Sequence, residues 1–318
     1  MKILITGCAG FIGYHLSKKL SLNNDKIFGI DNLNNYYDVD LKKKRLNNLS
    51  SKNFFFFKID IKDFNNLKKF FKKNKFDIVY HLAAQAGVRY SIFNPETYFE
   101  NNLKGFFNIL ECCRKFKVKN LIFASTSSVY GKQKKFPLKE NYSTDRPISF
   151  YAATKKCNEI MAYSYSEIYK LKCTALRFFT VFGPFGRPDM ALFKFSSSIV
   201  KNKKLELYNS GNHTRDFTFI DDVIIYLERF KNKKQSNYFE VFNVCSNKPI
   251  SLKKYLSYIE KNLKLKAKVK KLKLQQGDVV KTHGENKKIK KHLGNHIFKK
   301  IDLGIHHFII WFKKYSKK

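Results

Sequence analysis

Residues 2–13, Lys-Ile-Leu-Ile-Thr-Gly-Cys-Ala-Gly-Phe-Ile-Gly, decide the fold of this chain. The apolar run at 2–6 is typical of a buried parallel strand, and residues 11–20 carry helical periodicity. Between them, Gly7, Gly10 and Gly13 recur every third residue. Glycines allow a tight turn and a close backbone approach to phosphates, and the helix N-terminus offers amide donors to the same group. The segment therefore predicts a dinucleotide-binding strand, turn and helix.

An acidic residue follows at the distance that such a unit requires. Residues 26–31, Lys-Ile-Phe-Gly-Ile-Asp, predict a second strand that ends in Asp31, 18 residues beyond Gly13. A carboxylate at this position is expected to bind the adenosine ribose. No Arg or Lys follows immediately in residues 32–35, which favours NAD over NADP. The alternative is an ordinary strand, turn and helix with an acid at the strand end.

Length and composition predict a globular chain with a sizeable core. The chain has 318 residues, 43% of them hydrophobic, and no apolar stretch approaches the roughly 20 residues of a membrane helix. The N-terminus enters a strand at once, so no signal peptide is expected. Six cysteines form no Cys-x-x-Cys pair, and the histidine pair His306-His307 lacks the spacing of metal ligands. We expect reduced thiols, no metal site and a cytoplasmic protein.

The formal charge of +38 is the feature most open to misinterpretation. A basic patch can bind nucleic acid or attract anions. However, the lysines are spread along the whole chain, and Asn, Phe, Ile and Tyr are frequent with them, which genome composition explains. Attraction of an anionic substrate is the alternative. No Arg stripe interleaved with aromatic residues indicates nucleic acid, so no nucleic-acid partner is expected.

Strand and helix patterns alternate through the first half of the chain. Strands are predicted at 54–59, 77–82 and 120–125, and helices at 64–73 and 95–116. This alternation predicts an α/β fold with a Rossmann-type, doubly wound parallel sheet, whose ligands bind at the carboxyl ends of the strands. After about residue 180 the periodic segments shorten. We therefore predict an NAD-binding domain at 1–180 and a smaller α/β substrate-binding lobe at 181–318, with a return to the first domain around 215–246.

Tyr151 and Lys155 are the candidate catalytic residues. They lie four positions apart at the start of a predicted helix that runs to Tyr169, so both project from one face. Oxidation of a secondary alcohol needs a base for the hydroxyl proton. Lowering a phenol pKa from about 10 toward ~7 requires roughly 4 kcal/mol, which a neighbouring ammonium and a cationic nicotinamide are expected to supply. Thr126, at a strand end, adds a hydroxyl that can share the proton. The alternative is a pair of exposed helix residues in a lysine-rich chain.

Several motifs together resemble the extended short-chain dehydrogenase/reductases over essentially the full length. They are the glycine pattern, Asp60-Ile61, His81-Leu82-Ala83-Ala84, Asn101, the Ser-rich segment before Val129-Tyr130-Gly131, and Tyr-x-x-x-Lys. Within that family, residues 31–38, 83–91, 151–156, 177–181 and 183–193 most resemble UDP-glucuronate 4-epimerases. Thr282-His283-Gly284-Glu285 departs from the usual Thr-x-Ala-Asp. The resemblance implies a cofactor site of Gly7, Gly10, Phe11, Ile12, Gly13, Asp31, Asn32, Asn35, Asp60, Ile61, Leu82, Ala83, Ala84, Asn101, Tyr151, Lys155 and Phe179.

The resemblance also implies the reaction, which is NAD-dependent epimerisation at carbon 4 of a UDP-sugar through a 4-keto intermediate. UDP-glucuronate is the implied substrate and UDP-galacturonate the product, for use in polysaccharide synthesis. By position, Tyr208 is expected beside uracil, Arg215 at the diphosphate and Asp278 at the ribose. Ser127, Ser128 and Thr180, with Arg187 from the second lobe, are expected to seat the sugar carboxylate.

Other functions stay open on the same scaffold. A UDP-glucose/UDP-galactose 4-epimerase is the first alternative, and a UDP-glucuronate decarboxylase or a non-catalytic NAD-binding protein follows. A 4,6-dehydratase carries Asp-Glu directly after the catalytic Thr, and a UDP-glucuronate decarboxylase carries Glu at the second of these positions, whereas this chain has Ser127-Ser128.

The resemblance further implies a homodimer. The helices at 95–116 and 151–169 are the expected interface, with Phe99, Phe106, Tyr163 and Tyr165 as candidate contacts that could equally be core.

Overall fold

The segment at 2–13 forms a strand, a tight turn and a helix, as the sequence predicts. A computed structural model describes residues 1–233 and 236–316. Strand β1 (Lys2–Thr6) is buried beyond its first residue, and helix α1 (Phe11–Leu20) begins directly after the glycine turn. The remaining strands are β2 (Lys26–Asp31), β3 (Phe54–Lys58), β4 (Ile78–His81), β5 (Asn120–Thr126), β6 (Cys173–Phe178), β7 (Thr180–Phe182), β8 (Lys204–Tyr208), β9 (Thr214–Phe219), β10 (Phe239–Val244), β11 (Pro249–Ser251) and β12 (Lys268–Leu272).

Helices alternate with these strands through the first half of the chain. The α-helices after α1, over the whole described chain, are α2 (Val39–Asn47), α3 (Phe64–Asn74), α4 (Tyr90–Phe93), α5 (Pro95–Tyr98), α6 (Gly105–Lys115), α7 (Phe150–Tyr169), α8 (Ala191–Val200), α9 (Ile220–Asn232), α10 (Leu252–Leu263), α11 (Lys287–Leu293) and α12 (Ile301–Ser316). No helix in the described parts of the chain has the length and apolarity to cross a membrane.

The central sheet has seven parallel strands in the order β3-β2-β1-β4-β5-β6-β10. The order reverses at β1, between β2 and β4. At such a point the loops after neighbouring strands leave in opposite directions and open a crevice for ligands. The predicted Rossmann-type fold is confirmed.

Both faces of this sheet are covered. Alternate side chains of a strand point to opposite faces. In β1, Ile3 and Ile5 join one apolar cluster while Leu4 joins another on the opposite side. The first cluster continues through Phe182 to Phe308 of α12, so the two halves of the chain share a core.

The second half adds two small sheets beside the large one. Strands β7, β9 and β11 form one, and β8 pairs with β12 in the other. The chain then returns through α9, which packs on α1, and β10, which joins β6. Within 215–246, therefore, β9 lies in a small sheet while α9 and β10 belong to the large one. The division of the chain near residue 180 stays a prediction.

The helix predicted at 95–116 has an irregular middle. Residues Phe99–Lys104 form a π-helical turn between α5 and α6. A π turn adds a residue to the helical repeat and is frequent at functional sites. It contains Asn102, whose side chain bonds both backbone groups of Gln85 and the hydroxyl of Thr154. The turn thereby ties the loop after β4 to α7.

Candidate active site

A cavity of about 1250 Å³ lies beyond the carboxyl ends of β1, β2, β4 and β5. It extends from the glycine turn to the small sheets. Of the residues that the sequence assigned to the cofactor, the cavity is lined by Gly7, Gly10, Phe11, Ile12, Gly13, Asp31, Asn32, Ile61, Leu82, Ala83, Ala84, Asn101, Tyr151, Lys155 and Phe179. It is also lined by Thr126, Ser127, Ser128, Thr180, Arg187, Tyr208, Arg215 and Asp278. One cavity thus brings together nearly all predicted site residues.

The glycine turn forms a cradle that side chains would fill. Gly7 has a φ of +72°, and a Cβ there would lie 2.8 Å from the backbone nitrogen of Ala83. A Cβ on Gly13 would lie 2.1 Å from the Gly7 carbonyl oxygen. Only glycine lets α1 start this close to β1, with its N-terminal amides facing the cavity. The turn therefore fits the pyrophosphate of a dinucleotide.

Asp31 ends β2 at the edge of the cavity. Its carboxylate accepts hydrogen bonds from the backbone amides of Ala9, at 3.2 Å, and Leu33, at 2.8 Å. Burial raises the pKa of Asp31, while those amides and the charges of Lys42 and Arg45 oppose the rise. The carboxylate is held where a ribose diol of bound NAD could donate to it.

Two cofactor assignments made from the sequence are not cavity residues. Asn35 does not line the cavity, whereas its neighbour Asn34 does and accepts from the ammonium of Lys42 at 2.6 and 2.8 Å. Asp60 is also absent from the cavity lining and accepts from the side-chain amide of Asn32 at 3.1 Å. Adjacent positions in a loop point in different directions, which a motif match does not resolve. Direct cofactor contact by Asn35 and Asp60 stays a prediction.

Replacing Asp31 with Asn is expected to weaken NAD retention by about 10–100-fold. The change removes the charge while keeping the side-chain shape, and hydrogen bonds to a charged group contribute about 1.5–3 kcal/mol. NAD content per purified protomer and the NAD dissociation constant measure the effect. Asp40→Asn, on exposed α2 surface, is the matched control. Unchanged NAD affinity in Asp31→Asn would remove Asp31 from the cofactor site.

The three candidate catalytic residues meet at the end of β5 and the start of α7. Thr126 ends β5, and its hydroxyl accepts from the backbone amide of Ser128 at 3.2 Å. Ser149 caps α7 by accepting from the amide of Ala152 at 3.2 Å. Tyr151 and Lys155 therefore lie one turn apart in the first two turns of a capped helix, and both face the cavity.

The electrostatics of this pair differ from the expectation. Burial raises the pKa of Tyr151, and the Thr126 hydroxyl and the charge of Arg187 oppose the rise. Lys155 is not among the groups that lower it. Burial also lowers the pKa of Lys155 to about 8, against the opposing charge of Glu159. In the chain without NAD, burial outweighs the groups that lower the pKa of Tyr151, so the expected lowering by Lys155 together with a bound nicotinamide stays a prediction. The cationic nicotinamide of bound NAD is the remaining source of such lowering.

A buried ion pair supports the catalytic strand end and was not identified from the sequence. Arg177 of β6 binds Glu159 of α7 through Nε, at 2.9 Å, and Nη2, at 2.8 Å. Ser125, next to Thr126, donates to the same carboxylate at 2.5 Å. Strands β5 and β6 and helix α7 are thus fastened directly behind the catalytic residues. The partners are distant in sequence, so no local pattern marks them.

At the far end of the cavity, Asp278 gathers three basic side chains. Arg215 Nη2 donates to it at 2.8 Å, and Arg89 and His213 lie 3.8 and 3.5 Å from its other oxygen. The guanidinium of Arg89 also stacks on the ring of Tyr208, with 4.3 Å to the centroid. The sequence predicted Tyr208, Arg215 and Asp278, and the structure brings them together. Arg89 and His213 were missed.

The residues expected at the sugar carboxylate share the cavity near Tyr151. Ser127 and Ser128 lie in the 3₁₀ turn after Thr126, and Thr180 begins β7. Arg187, however, is already paired: its Nε and Nη2 donate to Asp189 at 3.0 and 2.5 Å. Tyr36 donates to the same carboxylate at 3.3 Å. Arg187 is therefore paired with Asp189, two residues on, and its contact with the sugar carboxylate stays a prediction.

The comparison with known families gives the assignment. The family model described as "NAD dependent epimerase/dehydratase family" matches residues 3–245. The chain belongs to this family. Membership confirms the expectation of an NAD-dependent enzyme. The relatives named as 4-epimerases are isomerases, as expected.

Relatives of this family member match along its whole length. Protein CapI of Staphylococcus aureus is 43% identical and covers 100% of both chains. UDP-glucuronate 4-epimerase 4 of Arabidopsis thaliana is 40% identical over 98% of this chain and 75% of its own. A solved UDP-glucuronic acid 4-epimerase from Bacillus cereus, in complex with UDP-glucuronic acid and NAD, is 32% identical with a TM-score of 0.94, covering 99% and 100%. A solved UDP-glucose 4-epimerase from Thermotoga maritima, with UDP-glucose, is 28% identical with a TM-score of 0.91. The match covers 99% of this chain and 100% of that one.

The aromatic residues predicted for a dimer interface of this family member fall into two groups. Phe106 is fully buried and packs on the rings of His81 and Phe123, so of the two alternatives it belongs to the core. Tyr165 is half-buried and donates to Glu111 at 2.9 Å. Phe99 and Tyr163 are 51% and 53% exposed. Of these four residues, only Phe99 and Tyr163 leave a large part of their ring exposed.

Proposed function

We propose that this chain interconverts UDP-glucuronate and UDP-galacturonate by epimerisation at carbon 4, with NAD held in the glycine turn. The observation that carries the proposal is the single cavity that joins the dinucleotide cradle, Tyr151 with Thr126, and the Arg215–Asp278 cluster. The uronate epimerases of Arabidopsis thaliana and Bacillus cereus among the relatives support the choice of sugar.

Each group of cavity residues has a separate role in the proposed reaction. The chemistry that NAD supplies when bound is reversible acceptance of hydride from carbon 4, so the net reaction needs no external oxidant. Tyr151 takes the proton of the 4-hydroxyl and returns it, and Thr126 shares that proton. Lys155 is placed to hold the nicotinamide ribose. Tyr208, Arg215 and Asp278 anchor the UDP moiety, so the 4-keto sugar can turn about its diphosphate linkage and present its other face.

The proposed preference for a uronate rests on side-chain hydroxyls at the sugar site and on the lack of a carboxylate at the two positions after Thr126. Oxidation at carbon 4 of a uronate gives a β-keto acid, which loses carbon dioxide when the breaking bond aligns with the carbonyl π system. Ser127, Ser128 and Thr180 offer neutral donors that can hold the carboxylate out of that alignment. Neither position after Thr126 is a carboxylate that could repel it or assist decarboxylation.

Thr180→Ala or Ser127→Ala is expected to lower selectivity for the uronate and to release UDP-4-keto-pentose. Each charge-assisted hydrogen bond contributes about 1.5–3 kcal/mol, so one deletion is expected to weaken uronate binding about 10–100-fold. Mass spectrometry of the products reads both effects, with Ser198→Ala, elsewhere in the cavity lining, as the matched control. An unchanged product mixture and unchanged uronate KM in both variants would place the carboxylate elsewhere.

The same proposal covers organisation and location. We infer an NAD-binding unit at 1–180 and a sugar-nucleotide lobe from 181 onward, joined by the shared core. The exposed Phe99 and Tyr163 support a homodimer through the π-helical turn and α7. The six cysteines form no disulfide with one another, which supports a reducing, cytoplasmic setting. Sedimentation or light scattering of the purified protein tests the dimer.

A further inference from the structure

Arg45 is a fully buried cation that none of the roles above uses. It lies on α2, and its guanidinium is bound by oxygens from three separate segments. Nη1 donates to the carbonyl of Ala9 at 2.8 Å and to the phenol oxygen of Tyr37 at 2.6 Å, and Nη2 donates to the carbonyl of Phe185 at 2.7 Å. These acceptors are all neutral, and the Nε atom is buried without a partner. Burying a charge in this way is costly, so the position is occupied for a reason other than simple packing.

Arg45 joins a segment at the proposed dinucleotide site to a segment that lines the rest of the cavity. Ala9 lies inside the glycine turn, between Gly7 and Gly10. Phe185 lies in residues 183–190, here named the covering segment, which follows β7 and carries Arg187 and Asp189 into the cavity lining. A single guanidinium therefore fixes the position of the covering segment relative to the turn that fits the pyrophosphate.

Other contacts at the same junction also hold the covering segment against α1 and α12. The ring of His15 on α1 bonds the carbonyl of Pro184 at 2.9 Å. Burial lowers the pKa of His15 to about 4, so this ring is neutral near pH 7. Tyr14 packs on Phe185 with 4.9 Å between ring centroids, and Phe185 packs on Trp311 of α12 at the same separation. Arg45 is the member of this junction that binds the glycine turn itself.

We propose that Arg45 is a positioning residue that couples retention of the dinucleotide to the position of the covering segment. This inference rests on the proposed function, since it needs a dinucleotide at the glycine turn and a UDP-sugar in the rest of the cavity. A sugar nucleotide that contacts the covering segment holds the Phe185 carbonyl in place, and Arg45 transmits this restraint to the Ala9 carbonyl and the turn around it. By linkage, each ligand strengthens binding of the other by the same factor. Such coupling keeps the dinucleotide in place while the oxidised sugar turns.

The test is the rate of NAD loss from the holoenzyme with and without saturating UDP, a probe that cannot be turned over. In the wild type, UDP is expected to slow NAD loss by at least about 5-fold, the lower end of typical coupling. In Arg45→Met the ratio of the two rates is expected to approach 1. Arg45→Lys keeps the charge, yet a single ammonium lacks the two-nitrogen fork that reaches both carbonyls, so it is expected to lose most of the ratio.

Arg229→Met is the matched control. Arg229 also donates to three backbone carbonyls, those of Leu293, Gly294 and Asn295 at 3.3, 3.2 and 3.1 Å, away from the cavity. It is expected to lower the melting temperature and to keep the wild-type ratio. Tyr37→Phe removes one acceptor of Arg45 with minimal change of shape, and is expected to lower the ratio in part even if the Arg45 variants do not fold.

Three results would overturn the inference. The first is a wild type in which UDP does not slow NAD loss. The second is a wild-type ratio in folded Arg45→Met, or in Tyr37→Phe if neither Arg45 variant folds. The third is an equal loss of the ratio in Arg229→Met. UDP is common to all UDP-sugars, so intact coupling without turnover of UDP-glucuronate would refute the proposed substrate alone. Turnover of UDP-glucuronate with unchanged coupling in Arg45→Met would refute this inference alone.

Discussion

Tyr151→Phe is expected to retain NAD and to lose at least about 100-fold in turnover. The phenol of Tyr151 faces the cavity and interacts with the Thr126 hydroxyl, and a positioned general base contributes about 10²–10⁴-fold. Loss of one hydroxyl leaves the ring packing against Tyr98 in place, so the fold is expected to persist. Initial rates on UDP-glucuronate, together with bound NAD per protomer, measure the effect.

The matched control for that variant is Tyr130→Phe. Tyr130 also starts a Tyr-x-x-x-Lys sequence, but its hydroxyl donates to Asn243 at 2.7 Å in the core, outside the cavity lining. Its loss is expected to cost about 1 kcal/mol of stability with turnover unchanged. Near-normal turnover in Tyr151→Phe would show that another group removes the proton.

Gly13→Ala is expected to abolish NAD retention. The added Cβ would lie 2.1 Å from the Gly7 carbonyl oxygen and 3.1 Å from the Cα of Cys8, and both are backbone atoms that cannot turn aside. Helix α1 must then move off the turn, which disrupts the pyrophosphate cradle and costs about 1–3 kcal/mol of stability, as overpacking usually does. NAD content after purification and melting temperature with saturating NAD report the two effects.

Lys18→Ala, in the last turn of the same helix, is the control for Gly13→Ala and is expected to keep NAD. Wild-type NAD content in Gly13→Ala would mean that the turn does not bind the pyrophosphate.

Local features of the site could be predicted from the sequence because short-range chemistry dictates them. The glycines, Asp31 at a strand end and the four-residue spacing of Tyr151 and Lys155 each impose their geometry within one turn or strand. The boundaries of β1 and α1 agree with the prediction for the same reason.

The site features that could not be predicted from the sequence depend on tertiary contacts. Arg45 reaches Phe185 across 140 positions, and Arg89 meets Asp278 through a contact between segments far apart in the sequence. The pairing of Arg187 with Asp189 depends on side-chain direction in a loop rather than on residue type. The pKa of Tyr151 follows from burial, which the identity of its helical neighbours does not determine. Burial and long-range ion pairs are thus the features that a local sequence pattern does not reveal.

The measurement that tests the central claim most directly is a parallel assay of the purified wild type on UDP-glucuronate and UDP-glucose, without added NAD. Products are resolved by mass spectrometry and chromatography, and absorbance at the NADH band is followed. The account predicts UDP-galacturonate as the main product, little pentose, slower conversion of UDP-glucose and no accumulation of NADH. Preferential epimerisation of UDP-glucose, pentose as the main product, or NADH formed in proportion to turnover would contradict it.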